Sequence, residues 1–195
     1  MEVTRDLDNS IKSFETRVQN LILKGDKRKA SNLLEEHISQ NKPITEKEIL
    51  KFTLEPSGMT VAHKLAHRGD KITDKEILML CGEDRSKENS LYGHSGCSVA
   101  YIMAKKGHSF SDKDILKLGS ENNKSTVAHA MASHGHFFED LEVLKFKDDK
   151  GTSVAHIMAS NGHTFKEVEL LNITNDFGFS VKDFQSVSDS RSEQL

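Results

Sequence analysis

Short apolar stripes alternate with polar turns along most of this chain, and the stripes resemble one another. Val61, Ala62, Leu65 and Ala66 return as Val99, Ala100, Met103 and Ala104, then as Val127, Ala128, Met131 and Ala132, and again as Val154, Ala155, Met158 and Ala159. Steps of three and four residues place each set on one face of a helix. A hydroxyl residue stands before every stripe: Thr60, Ser98, Thr126 and Ser153. In that position a side-chain oxygen can take up an orphan helix N–H. A glycine closes each stripe, Gly69, Gly107, Gly135 and Gly162, as a left-handed C-terminal residue should. The pattern predicts a first helix of about ten residues per unit, with small alanines that let neighbouring helices approach closely.

A second, shorter apolar pattern follows each first one. Ile77-Leu78, Ile115-Leu116, Val143-Leu144 and Leu170-Leu171 supply its buried side, and Ile72, Phe110, Phe138 and Phe165 stand ahead of it as staple residues. Thr73 with Glu76, and Thr45 with Glu48, fit capping boxes. Asp74, Asp112, Asp140 and Glu167 fall in the first turn, at the positive end of the helix dipole.

The spacing fixes the organisation. Successive closing glycines lie 38, 28 and 27 residues apart, so about ten extra residues separate the first two units. Ile44-Thr45-Glu46-Lys47-Glu48-Ile49-Leu50 precedes its counterpart at Ile72 by 28 residues, which carries the register toward the N-terminus. Gly178-Phe179-Ser180-Val181 lies 27 residues after Gly151-Thr152-Ser153-Val154 and opens a final, incomplete unit. The fold predicted is all-α, an α-solenoid of stacked helix-turn-helix repeats. Residues 1–57 read as a helical N-terminal cap and degenerate repeat, 58–178 as the repeats with an insert at 82–95, and 179–195 as a partial repeat and polar tail. Ile11, Phe14, Val18, Leu21 and Ile22 make the first cap helix, which Gly25-Asp26 ends; Leu33, Leu34 and Ile38 mark a second. The Ser-rich run from Gln185 to Leu195 is expected to fray.

Thr126-Val127-Ala128-His129-Ala130-Met131 resembles the Thr-Pro-Leu-His-x-Ala pattern of the ankyrin repeat family in its Thr and His, and Gly107-His108, Gly135-His136 and Gly162-His163 look ankyrin-like as well. The resemblance covers roughly residues 58–178. Val stands for the family's Pro and Ala for its Leu. The period of 27 or 28 residues is shorter than the family's, about 33. The likeness implies shortened repeats, with the β-turn finger as the simplest place for the missing residues. It also implies that His63, His129 and His156 are structural, bridging the capping hydroxyl and neighbouring backbone, and that the exposed side of the first helices lines a concave face.

Composition narrows the chemistry. Net charge is −3 and the sequence pI is about 6.4, so bulk attraction to nucleic acid or membranes is not indicated. The N-terminus has no long apolar run, which predicts neither a signal peptide nor a membrane span. Cys81 and Cys97 do not make a secreted disulfide framework. The expected location is the cytoplasm; delivery to a host cell by a signal-peptide-independent route would leave the same sequence. There is no Gly-rich phosphate loop, Gly-x-Ser-x-Gly elbow or Cys-x-x-Cys pair, and recurrent acids at helix starts are explained by capping. No cofactor and no enzymatic activity are expected.

Ten histidines raise a metal alternative, with His63 and His67 four apart on one helix and His129 and His134 near each other. Recurrence in register argues instead for a structural role, since a metal site gathers its ligands in one place. The positions that break the repeat carry the expected binding surface. They are His67 and Arg68, Lys105 and Lys106, His134 and Asn161 before the glycines, and Tyr101, which replaces the repeated histidine. Arg68, Lys105 and Lys106 would meet an acidic partner. In the insert, Leu91-Tyr92-Gly93-His94 is the one apolar-aromatic cluster, with Tyr92 and His94 as interface anchors. The sequence thus predicts a non-enzymatic module that binds another protein through its concave face and the 82–95 loop. Transition-metal binding is the alternative, and nucleic-acid binding through Arg68, Lys105 and Lys106 a weaker one that net charge opposes.

Overall fold

The computed structural model describes residues 2–82, 96–120 and 123–185, with the side chains of 2–10 left aside. Among these residues the chain is all-helical. Two longer helices lead, α1 (Glu2–Leu23) and α2 (Lys27–Ser39), with Gly25 between them in the left-handed region at φ 77°. Pairs of short helices follow. The first helices of the pairs are α4 (Val61–Arg68), α6 (Val99–Lys105), α8 (Val127–Ser133) and α10 (Val154–Ser160). The second helices are α3 (Lys47–Lys51), α5 (Lys75–Leu78), α7 (Lys113–Lys117), α9 (Leu141–Leu144) and α11 (Val168–Leu171). Residues 181–185 turn helical once more. No described helix is long and apolar enough to cross a membrane.

First helices pack on first helices, α4 on α6, α6 on α8 and α8 on α10; second helices pack likewise, α3 on α5 and α7 on α9. The stripe of Val and paired Ala explains the close approach. Val61, Ala62, Ala66, Val99, Ala100, Ala104, Val127, Ala128, Ala132, Val154, Ala155 and Ala159 have no exposed surface. Each of these first helices thus closes over the apolar stripe of its neighbour.

The first helices run seven or eight residues, a little under expectation. The second helices are single turns of four or five residues. A turn connects a second helix to the first helix that follows. Isolated antiparallel bridges pin its base at Thr53 with Thr60, Gly119 with Thr126, Lys147 with Ser153 and Thr174 with Ser180. Neighbouring turns also bond to each other: Asp149 N–H donates to the Asn123 carbonyl at 2.9 Å and Asp176 N–H to the Lys150 carbonyl at 3.0 Å. Gly151 stands where these turns touch, at φ 70°, and a β-carbon there would lie 2.5 Å from the Asp176 carboxylate.

The second-helix caps differ from the expected capping boxes. Asp74, Asp112 and Asp140 are themselves the N-caps, one residue after the expected threonine position, and accept from Ile77 N–H, from Asp114 and Ile115 N–H, and from Glu142 N–H. Asp is as good a cap as Thr and its charge also meets the dipole. At α3 the cap comes from elsewhere. One carboxylate oxygen of buried Glu15, on α1, accepts from Thr45 N–H at 2.7 Å, Thr45 Oγ1 at 3.1 Å and Glu46 N–H at 2.9 Å. Thr45 is thus held by the N-terminal helix and does not pair with Glu48. Phe14 stacks on His37 at 3.5 Å and completes the junction between α1 and α2.

Candidate functional site

The repeated histidines are built into the scaffold. His63, His129 and His156 sit on the third residue of their helices, at most 1% exposed. Each Nδ1 faces the capping hydroxyl: Thr60 Oγ1 at 2.6 Å, Thr126 Oγ1 at 2.8 Å and Ser153 Oγ at 2.7 Å. In two units Nδ1 also accepts the N-cap backbone N–H, from Thr126 at 3.2 Å and Ser153 at 3.1 Å. On the far side Nε2 reaches a carbonyl of the following unit: Cys97 at 3.0 Å, Thr152 at 3.1 Å and Phe179 at 3.1 Å. A carbonyl only accepts, so the proton is on Nε2 and Nδ1 is the acceptor. Burial holds all three imidazoles below their ordinary pKa, because the charged form would lose its hydration. Both ring nitrogens of His63 and of His129 are thus engaged in hydrogen bonds within the chain. Among the described residues no group of three or more His, Cys, Asp or Glu is arranged to hold a metal ion.

A second scaffold feature runs along the short helices. Lys47 pairs with Asp74 at 3.0 Å and Glu76 at 2.6 Å, Lys75 with Asp112 at 2.8 Å and Asp114 at 3.0 Å, and Lys113 with Asp140 at 2.6 Å and Glu142 at 3.1 Å. Lys145 continues the row to Glu169. Lys47, Lys75 and Lys113 thus each face the cap and the following acid of the next unit, while Lys145 meets only the later acid. These bonds raise the pKa values of Lys47, Lys75 and Lys113 and lower those of Asp74, Asp112 and Asp140. The sequence signal was present in Asp74-Lys75-Glu76 and Asp112-Lys113-Asp114, where Lys lies between two acids at the same repeat position. It becomes a ladder only once neighbouring units are stacked.

The expected binding residues divide three ways. Some are committed to the structure. Arg68 holds Asp70 with a two-pronged bond and donates to the Ile38 carbonyl at 2.8 Å and the Lys42 carbonyl at 3.2 Å. It ties α4 back to the N-terminal helices and does not project freely. Tyr101 is 6% exposed, its ring part of the core. Lys105 lies over its ring at 5.8 Å. Asn161 reaches back one unit, its Nδ2 donating to the Ala132 carbonyl at the end of α8 at 2.8 Å. His67 is half-buried on α4.

Others reach the surface. Lys105 and Lys106 are exposed, as is His134, whose Nδ1 bonds the Ala130 carbonyl at 2.9 Å. Tyr92 and His94, with most of the 82–95 insert, lie outside the described residues.

Sequence reasoning missed the edge formed by the glycine-histidine turns. Two shallow clefts lie between consecutive turns there. One, of about 280 Å³, is bounded by His108, His134 and His136. The next, of about 270 Å³, is bounded by His136, Phe137, Asn161 and His163. Phe137 is 48% exposed and meets the His163 ring edge-on at 4.6 Å. His108, by contrast, turns its Nε2 back to the Gly69 carbonyl at 3.3 Å. The edge can offer donors, aromatic surface and positive charge; it gathers no nucleophile with a base. No family model matches the chain, and no curated protein matches it.

Proposed function

We propose that this chain is a shortened, ankyrin-like α-solenoid that acts as a non-enzymatic protein-binding module. The observation that carries the reading is the division of labour among its polar side chains. Histidines, Asp caps and lysines that recur in register are spent on holding one unit to the next. Side chains that vary between units, Lys105, Lys106, Ser133, His134, Ser160 and the aromatic Phe137, crowd one edge beside open clefts. A rigid stack with a variable rim suits recognition of another macromolecule, with the helices of 1–57 as its N-terminal cap.

The test is cross-linked capture from native lysate, with wild type beside a Lys105→Glu/Lys106→Glu variant matched for helicity by circular dichroism. A protein identified with wild type and lost with the variant supports the reading. Identical captured sets, or no specific capture, contradict it.

A further inference from the structure

Carboxylates are distributed unevenly around the repeats. From Gly96 to Ser111, from Asn123 to Phe138 and from Lys150 to Lys166 the sequence holds no Asp or Glu. These stretches contain the first helices and the glycine-histidine turns of three successive units. The acids are concentrated on the second helices and the turns between units, where Asp112, Asp140, Glu142 and Glu169 are matched by ladder lysines. In a chain of net charge −3, the turn edge is therefore a local inversion. It carries Lys105, Lys106, His134 and His136 at the surface and hydroxyls from Ser109, Ser133 and Ser160, and these three stretches contribute no carboxylate to it. The nearest exceptions flank it: Asp70 is held by Arg68, and Glu139 and Asp140 begin the next second helix, Asp140 on Lys113.

The two clefts share Gly135 and His136 and so lie side by side on the two flanks of that turn, a trough divided by one low ridge. Lys105 and Lys106 stand between Ala104 and Gly107, which line its near end. Phe137 with His163 forms an aromatic step at the far end. Building on the protein-binding reading above, we infer that this trough receives an acidic segment of the partner, with carboxylates toward Lys105, Lys106 and His134 and an apolar side chain against Phe137. Charge complementarity selects an acidic peptide over a basic one, and over a nucleic-acid duplex whose phosphates are spread along its length, because the positive groups are few and the far cleft is aromatic.

The proposal is tested with purified full-length protein and a fluorescein-labelled peptide of eight glutamates around one central phenylalanine, followed by anisotropy. Two control peptides replace the glutamates by glutamine or by lysine. The expected result is saturable binding of the acidic peptide alone. Affinity should fall at least tenfold for Lys105→Glu/Lys106→Glu and several-fold for Phe137→Ala. It should hold within twofold for Lys150→Glu/Lys182→Glu, which makes the same charge change elsewhere. No binding of the acidic peptide overturns the inference, as does equal loss in both double variants, since that reports general charge attraction. These outcomes are separate from the capture experiment: a captured partner with no acidic-peptide preference would leave the binding-module reading standing and remove only this assignment.

Discussion

At two neighbouring junctions the same repeat position holds different chemistry. His129 closes its own helix start and reaches Thr152 of the next unit; Tyr101, one unit earlier, places an aromatic ring in the core. The backbone around them is alike. Both helices begin at a hydroxyl cap that accepts the N–H of the residue in question, Thr126 from His129 and Ser98 from Tyr101. The Tyr101 junction keeps backbone links as well, with Ser98 N–H on the Gly119 carbonyl at 3.1 Å and a bridge between Cys97 and Ser120. A stack of this kind can therefore exchange a polar bridge for apolar burial at one layer. The position belongs to the scaffold in both cases, and variation at a repeat position is not by itself a mark of a binding site.

The comparison can be broken first at Tyr101. Tyr101→Ala removes a buried aromatic ring and should cost on the order of 3–5 kcal/mol, read from urea denaturation; a loss below about 1 kcal/mol would return the ring to the surface. His129→Ala leaves the Thr126 N–H and Thr152 carbonyl short of a partner and should cost about 2–3 kcal/mol. A near-neutral result would show that the bridge is incidental.

Acid sharpens the same contrast. His63, His129 and His156 have folded pKa values lowered by burial from 6.5, so the unfolded chain binds more protons just below that pH. Stability is then complete above about pH 6.5 and falls as the pH drops from there toward the folded values. Each histidine contributes a slope of up to about 1.4 kcal/mol per pH unit. Tyr101→His should add one more proton to that dependence, since the Ser125 carbonyl occupies the place that Thr152 has for His129. An unchanged slope would mean that the new imidazole does not enter the bridge.

A smaller effect is expected at the turn. Lys124 has φ 52°, where the other units have Gly58, Gly96, Gly151 and Gly178 at φ 70–83°. Lys124→Gly should gain about 1 kcal/mol by relieving the left-handed conformation. The smallest effect belongs to the ladder. Lys75→Ala should lower the denaturation midpoint slightly in dilute buffer and not at all in 1 M salt, because its pairs with Asp112 and Asp114 lie in solvent.

Local signals carried much of this structure into the sequence. Gly69, Gly107, Gly135 and Gly162 all have positive φ, as their place after each stripe required, and the Val and Ala stripe is buried as its period indicated. The hydroxyl caps of the first helices were equally legible, because the cap and its N–H lie three residues apart. What sequence reasoning could not supply were contacts between units. Arg68 and Asn161 sit at variable positions that look solvent-facing, yet each bonds a carbonyl of an earlier element, roughly thirty residues away. The Lys–Asp ladder and the Glu15 cap on Thr45 are long-range in the same sense. The burial of Tyr101 was not legible either, because a break in a repeat pattern does not tell a core position from a surface one.

The central claim is that the repeated histidines are scaffold and not a site of chemistry. Long-range ¹H–¹⁵N spectra of the imidazoles at pH 7, before and after one equivalent of zinc, test it most directly. The account predicts that His63, His129 and His156 are neutral, carry the proton on Nε2, and keep their positions when zinc is added. A proton on Nδ1, or zinc-induced shifts at these three residues with the fold retained, would contradict it.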